Sequence, residues 1–334
     1  MRSINRLLLL AFLSFVLLVA WMIYFAITPV SNNTESIELD LKSGSSLRSV
    51  SQQLTKLGLL KEPWSFVLMV RSFGRASDIK AGNYLIEANI APYKLFVTLT
   101  NGNISQDGIT FIEGWTFAQM RNALNNNESV KHMIMSSTDQ EILAELGASE
   151  TIPEGLFFPD TYYFSRNSTD KSILKRAYQA MQTKLNVAWQ ARDAGLPYHS
   201  PYEALIMASI VEKETGKASE RPQIAGVFVN RLNIGMRLQT DPTVIYGLGE
   251  HFDGNLRKQD LLSDTPYNTY TRAGLPPSPI SMPGLASIEA ALHPAATKAI
   301  YFVGKGDGSH AFSTTLAEHN RAVMQYQIKP NLKK

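Results

Sequence analysis

From Leu7 to Ile27 the chain reads LLLLAFLSFVLLVAWMIYFAI, 21 residues without a charge. About 20 apolar residues are what a helix needs to cross the hydrocarbon core of a bilayer, so the start of the chain is committed to a membrane rather than to a water-soluble core. A secretory signal has a shorter apolar region, of roughly 7 to 15 residues, and a small-residue cleavage site. The sequence ITPVS that follows is a poor match to such a site, which favours an uncleaved anchor over a removed signal. Arg2 and Arg6 precede the span, whereas Glu35, Glu38 and Asp40 follow it before the first basic residue, Lys42. Because basic flanks stay on the cytoplasmic side, the N-terminus is expected in the cytoplasm and the rest of the chain outside, with Trp21 and Tyr24 in the outer interfacial belt. The chain has no cysteine. The exported part therefore has no disulfide, no thiol nucleophile and no lipid-accepting Cys, and packed cores must hold it together.

Thr28 to Ser36 is polar and reads as a tether. Beyond it Ile37, Leu39 and Leu41 alternate with polar residues as in a half-buried strand, and Leu47, Val50, Leu54 and Leu57 recur at helical spacing. Ser45 or Ser46 can cap that helix. LKSGSSLRSVSQQL from Leu41 has an echo in FIEGWTFAQMRNAL from Phe111, with Gly44 matching Gly114, Ser46 matching Thr116, and Leu47, Val50 and Leu54 matching Phe117, Met120 and Leu124. A duplicated strand–helix unit and a generic strand-to-helix turn both give this spacing. A helix in FVLMVRSFG, a strand then a helix in KAGNYLIEANIAPYKLFVTLTNG, and a helix over Ser172 to Trp189 follow, before a boundary loop at GLPYHSP, Gly195 to Pro201.

The segment Glu203 to Val211, EALIMASIV, is apolar on nearly every side, as a helix buried all round must be. It then carries Glu212 and Glu214. At about 100° per residue these point roughly 160° apart and cannot face one cleft. Periodicity alone does not choose between them. A carboxyl in apolar surroundings has its pKa raised and can donate a proton near neutral pH; the plainer alternative is salt-bridging of both acids to Lys213, Lys217, Arg221 or Arg231 at a helix end. Downstream, GMRLQTDPTVIYGLG, TPYNTYTRAGLPPSPISMPG and ALHPA form a run of loops. Tyr246, Tyr267 and Tyr270 offer aromatic faces for sugar rings, and Gln239, Asp241, Asn268 and Thr269 offer hydrogen bonds to hydroxyl and acetamido groups. Turn formation by itself accounts for Pro242, Gly274, Pro276 and Pro277.

ASIVEKETGKASERPQIAGVFVNRLNIGMRLQTDPTVIYGLG, with EGLFFPDTYYF at Glu154 to Phe164 and YNTYTRAGLPPSPISMPG, resembles the MltG (YceG-like) family of endolytic murein transglycosylases. The resemblance covers most of the chain beyond the span. It implies that the second Glu of the E-K-E triplet, Glu214, is catalytic, that Glu212 and Glu220 are structural, and that an N-terminal module similar to LysM peptidoglycan-binding folds lies around Leu41 to Leu60. It further implies cleavage of the MurNAc-GlcNAc β-1,4 bond of nascent glycan strands to leave 1,6-anhydroMurNAc ends, beside the peptidoglycan synthases (penicillin-binding proteins) of the bacterial inner membrane. The expected fold is α+β: a single transmembrane helix, a LysM-like βα module and a mixed α/β catalytic domain around the buried glutamate-bearing helix. Because 334 residues exceed one domain, the expected boundaries are 1–30 for the cytoplasmic tip and anchor, 31–105 for the LysM-like module, 106–200 for a connecting α/β region and 201–334 for the catalytic domain. Expected substrate-binding residues are Gln239, Asp241, Tyr246, Asn268 and Tyr270.

Other chemistries find little support. The net charge is only +3 with no long basic block, so no nucleic-acid partner is expected. The six histidines include no H-E-x-x-H and no usual zinc spacing, and neither a G-x-S-x-G elbow nor a G-x-x-x-x-G-K-[ST] loop occurs; no metal or other cofactor is expected. GKGDGSH at Gly304 to His310 reads as a turn before a strand. Two competing readings are a non-catalytic, membrane-anchored glycan-binding scaffold, and a muramidase that adds water with Asp241 or Glu154 as its second carboxylate.

Overall fold

A computed structural model of the chain describes residues 2–29, 36–42, 44–101, 106–165 and 168–328; most of the tether, residues 30–35, lies outside the described residues. The fold is mixed α/β. It divides into two compact units: Met1–Gly108 with Ser129–Lys131 and Tyr163–Ser168, and Ile109–Glu128, His132–Tyr162 and Thr169–Lys334.

The first unit opens with helix α1 (Arg2–Ile27), whose segment Leu8–Ile27 is long and apolar enough to cross a membrane. Strand β1 (Ile37–Leu41), helices α2 (Leu47–Lys56) and α3 (Pro63–Ser72), strand β2 (Gly82–Ile86) and helix α4 (Pro92–Asn101) follow. β1 and β2 are antiparallel, with Leu39 opposite Tyr84 and Leu41 opposite Gly82. The alternation of β1 has the expected consequence, since Leu39 and Leu41 are buried with Val50, Leu54, Phe66, Met69, Leu95 and Leu99. Phe25, from the last turn of α1, belongs to the same core.

Strand β3 (Gln106–Thr110) pairs with β4 (Thr161–Ser165), and the unit boundary falls inside both strands. Between them lie α5 (Phe117–Asn125) and α6 (Asp139–Leu146). The echoed segments adopt one local conformation: Gly44 and Gly114 both have left-handed backbone, φ 79° and 78°, where a Cβ would be strained. Ser46 then caps α2 by accepting from the amide of Ser49, as Thr116 caps α5 by accepting from that of Gln119.

The rest of the second unit comprises α7 (Asp170–Gln190), α8 (Pro201–Glu214), α9 (Arg221–Asn233), α10 (Asp241–Leu248), α11 (Lys258–Leu262), α12 (Leu285–Leu292), the hairpin β5 (Tyr301–Gly304) and β6 (His310–Ser313), and α13 (Leu316–Val323). Every residue of α8 from Ala204 to Val211 is buried, because α7, α9, α10 and α12 all pack on it. Ser209 is the one hydroxyl in that stretch. It is satisfied by donating to Ile206 O at 2.7 Å and accepting from the amide of Ile280 at 3.0 Å, which fastens the 279–282 loop to the helix. Gly226 lets α9 approach the backbone after α12: a Cβ there would lie 2.6 Å from Ala295 O.

Candidate active site

α8 is apolar all round, so its polar end must emerge where the packing stops, and the two glutamates there have different fates. Glu212 accepts from Arg221 Nη2 at 3.1 Å and from the amide of Gly284 at 3.0 Å. It is tied to the starts of α9 and α12, the salt-bridged alternative realised for one acid only. Glu214 instead opens on a cavity of about 450 Å³. Its Oε1 accepts from Thr240 Oγ1, and its pKa is pushed up to about 6, first by burial and then by the Asp241 carboxylate, against the lowering pull of the Thr240 bond, His310 and Arg231. As the last residue of α8 it also sits among the helix's unpaired carbonyls, which disfavour a negative charge. A carboxyl so placed keeps its proton up to a pH of about 6, above the ordinary carboxylate range, and can release it there.

Gln239, Asp241 and Tyr270 line this cavity with Glu214. Gln239 has a left-handed backbone, φ 50°, rare for a side chain of its size and concentrated at functional positions. Its amide donates to Thr269 O at 3.1 Å. Thr269 Oγ1 in turn accepts from the amide of Thr240, so the loop that holds Glu214's hydrogen-bond donor is clamped from below. Tyr270 Oη donates to Asp241 Oδ1 at 2.5 Å. Burial and that carboxylate push the phenol pKa well up, so it remains a donor.

Asn268 and Tyr246 lie elsewhere. Asn268 is fully buried, its amide donating to the carbonyls of Asp260, Leu261 and Ser263 and its Oδ1 accepting from the amide of Tyr270. It positions the Tyr270 loop rather than lining the cavity. Tyr246 faces a second cavity, of about 930 Å³, with Tyr267, Lys213 and Glu154. There its hydroxyl donates to Glu154 at 3.1 Å, and the same carboxyl accepts from the amide of Phe117. Burial raises Glu154 to about 7 despite these bonds. The second carboxylate in the cavity of Glu214 is therefore Asp241, and Glu154 is in the other one.

Among the other residues that line the cavity of Glu214, Arg231, His310 and His319 were not singled out as site residues from the sequence. Arg231 is buried, donating from Nε to Ile300 O and from Nη1 to Leu238 O, each at 2.6 Å. Its guanidinium lies 5.5 Å from the Tyr301 ring centroid. His319 stacks on Tyr301 at 5.2 Å; burial, then Arg231, lowers its pKa and keeps it neutral. His310 opens β6, and its Nδ1 lies 2.7 Å from Glu220. Burial alone would raise the Glu220 pKa, but the hydrogen bonds to His310 and Lys217 outweigh it and hold the carboxyl ionised. His310 closes the GKGDGSH turn and was hidden because side-chain direction around a hairpin has no helical period; His319 lies on α13, beyond it. Among the described residues, no group of three or more His, Asp or Glu is placed to hold a metal ion.

Several known proteins share this sequence pattern. The endolytic murein transglycosylase of Bacillus subtilis is 34% identical over 91% of this chain and 89% of its own length. The proteins of the same name from two Streptococcus pneumoniae strains are each 26% identical over 89% of this chain, which spans 59% of their length. The crystal structure of a yceG-like protein from Listeria monocytogenes superposes with a TM-score of 0.54 at 30% identity, covering 86% of this chain and 99% of that one. The sequence model of the YceG-like family matches residues 39–325, and with that extent of agreement the chain belongs to the YceG-like family.

Proposed function

We propose that this protein is a membrane-anchored, endolytic peptidoglycan lytic transglycosylase that uses Glu214 as its acid and base. The observation that carries the reading is a carboxyl at the end of a buried helix, raised to about 6 and open to a cavity lined by hydrogen-bonding and aromatic groups. The relatives' names supply the substrate class, murein.

Protonated Glu214 donates to the glycosidic oxygen between MurNAc and GlcNAc, and the C1–O bond breaks as positive charge develops at C1. The carboxylate then takes the proton of the MurNAc 6-hydroxyl, whose oxygen closes on C1. The products are a GlcNAc 4-hydroxyl end and a 1,6-anhydroMurNAc end, with the carboxyl reprotonated and no water used. One carboxylate suffices because the substrate carries its own nucleophile. Gln239, Asp241 and Tyr270 hold the sugars, Asn268 sets the Tyr270 loop, and Tyr246 lines the neighbouring cavity. The order β1–α2–α3–β2 with its antiparallel strand pair supports a LysM-like module in the first unit. Leu8–Ile27 supports a single inner-membrane span, and Arg2 and Arg6 before it support a cytoplasmic N-terminus; a cut made there, beside the synthases, would end strand elongation.

Asp241 in the same cavity favours one competing reading, a muramidase in which that second carboxylate activates water. Mass spectrometry of glycan strands incubated with the full chain in detergent decides between them. Internal fragments one water lighter than hydrolysis products are expected, whereas water-added ends would establish the muramidase. Thr240→Val gives a second check. The Thr240 hydrogen bond lowers the Glu214 pKa, so its loss raises that pKa. The alkaline fall in kcat/KM, expected near 6 where Glu214 loses its proton, should move to higher pH with the fold intact. An unmoved profile would remove Glu214 as the titrating acid.

A further inference from the structure

Trp21 lies six residues inside the end of the apolar span, about 9 Å along the helix axis from Ile27 at 1.5 Å per residue. The indole of Trp64, from the first turn of α3, stacks on it with ring centroids 5.1 Å apart and planes 9° apart. Phe25, one turn beyond Trp21, also stacks on it at 5.9 Å and is buried in the core of the first unit, with Met22 and Ala26 packed against that core. The last two turns of α1 are thus part of the folded module. Two stacked rings share a depth, so wherever the bilayer holds Trp21 it also holds Trp64.

The surface around Trp64 suits that depth. Trp64 and Leu68 are 56% and 38% exposed, large apolar surfaces for a residue in water. They line a groove of about 550 Å³ with Val67, and Arg48 of α2 and Arg71 of α3 stand at it. Among the described residues neither arginine has an ion-pair partner within the unit. Aromatic rings at the headgroup level, apolar side chains beneath them and arginines reaching for phosphate are the pattern of a protein face lying in a membrane interface.

We propose that this groove seats a phospholipid of the outer leaflet, its phosphate between Arg48 and Arg71 and its acyl chain along Trp64, Val67 and Leu68, so that the first unit rests on the bilayer. The proposal rests on the reading of α1 as a membrane span, and the test separates the two.

Full-length protein in phospholipid nanodiscs would carry one tryptophan at a time, Trp21, Trp64 or Trp115, the others changed to Phe. Fluorescence quenching is then measured with lipids brominated near the headgroup end of the acyl chain. Trp21 and Trp64 are both expected to be quenched strongly and Trp115 hardly at all. Quenching of Trp21 with Trp64 matching Trp115 would leave the span standing and overturn the seat, freeing the face for a protein partner. Absence of quenching at Trp21 as well would overturn the span and the seat together. In the Trp64 protein, Arg48→Glu with Arg71→Glu is expected to cut quenching by about half, since each arginine near an anionic surface contributes to holding it there. Unchanged quenching in that variant would overturn the phosphate contact.

Discussion

Glu214→Gln is expected to lose strand cleavage by at least about a thousandfold, the upper part of the range for removing a single acid–base group, because in the proposed mechanism one carboxyl performs both proton transfers. The same variant is expected to be more stable than the parent at pH 7.5. The sign follows from linkage. A carboxyl moved from 4.5 to about 6 on folding binds its proton more tightly in the folded state. Stability is then fully present below about 4.5, falls as pH rises to about 6, and stays lower above it. The deficit at neutral pH is on the order of 2 kcal/mol, and an uncharged Gln, which still accepts from Thr240, removes it. Melting curves should show a gain of several degrees at pH 7.5 that vanishes at pH 4. Retained cleavage would sink the assignment of Glu214, and a gain independent of pH would sink its raised pKa.

Arg231→Met is expected to damage both stability and the pH profile. Arg231 donates to two carbonyls, Ile300 O and Leu238 O, and leaving buried acceptors unpaired costs roughly 1–3 kcal/mol apiece. A loss of about 2–4 kcal/mol, read from thermal or denaturant unfolding, is the expected outcome. Its charge also lowers the Glu214 pKa, so whatever activity survives should extend to higher pH. Arg231→Lys separates the two effects. It keeps a positive charge but not the planar fork that reaches two carbonyls at once, so it should keep the parent's pH profile while losing stability. A Met variant as stable as the parent would mean that the site does not depend on this side chain for its shape.

The sequence disclosed the elements with strong periodicity and little else about the site. The all-round apolar run of α8, the alternation in β1 and the Gly-then-cap turns at Gly44 and Gly114 are local properties, and local properties can be read from a string. Which glutamate faces the cavity was not readable from residue spacing, because it is decided by where α9 and α12 begin: Arg221 and Gly284 capture Glu212, while Thr240 meets Glu214. The loop residues divided for the same reason. Gln239, Asp241 and Tyr270 reach the cavity, whereas Asn268, equally polar, is consumed by three carbonyls of its own loop. His310 was passed over as part of a turn, yet its position at the first residue of β6 brings it to the cavity.

The boundary between the two units is crossed repeatedly: the first unit takes back Ser129–Lys131 and Tyr163–Ser168 from the middle of the second. Lys131 and Ser168, far apart in sequence, are joined by a backbone hydrogen bond of 2.8 Å. A chain cut at residue 108 would lose both returning segments, and one started at 109 would carry them without the module they complete. The chain therefore passes from one unit to the other several times, and no single cut yields both units whole. A truncation designed at residue 108 or 109 is therefore expected to expose core surface in both products, and the family match accordingly runs without a break from residue 39 to 325.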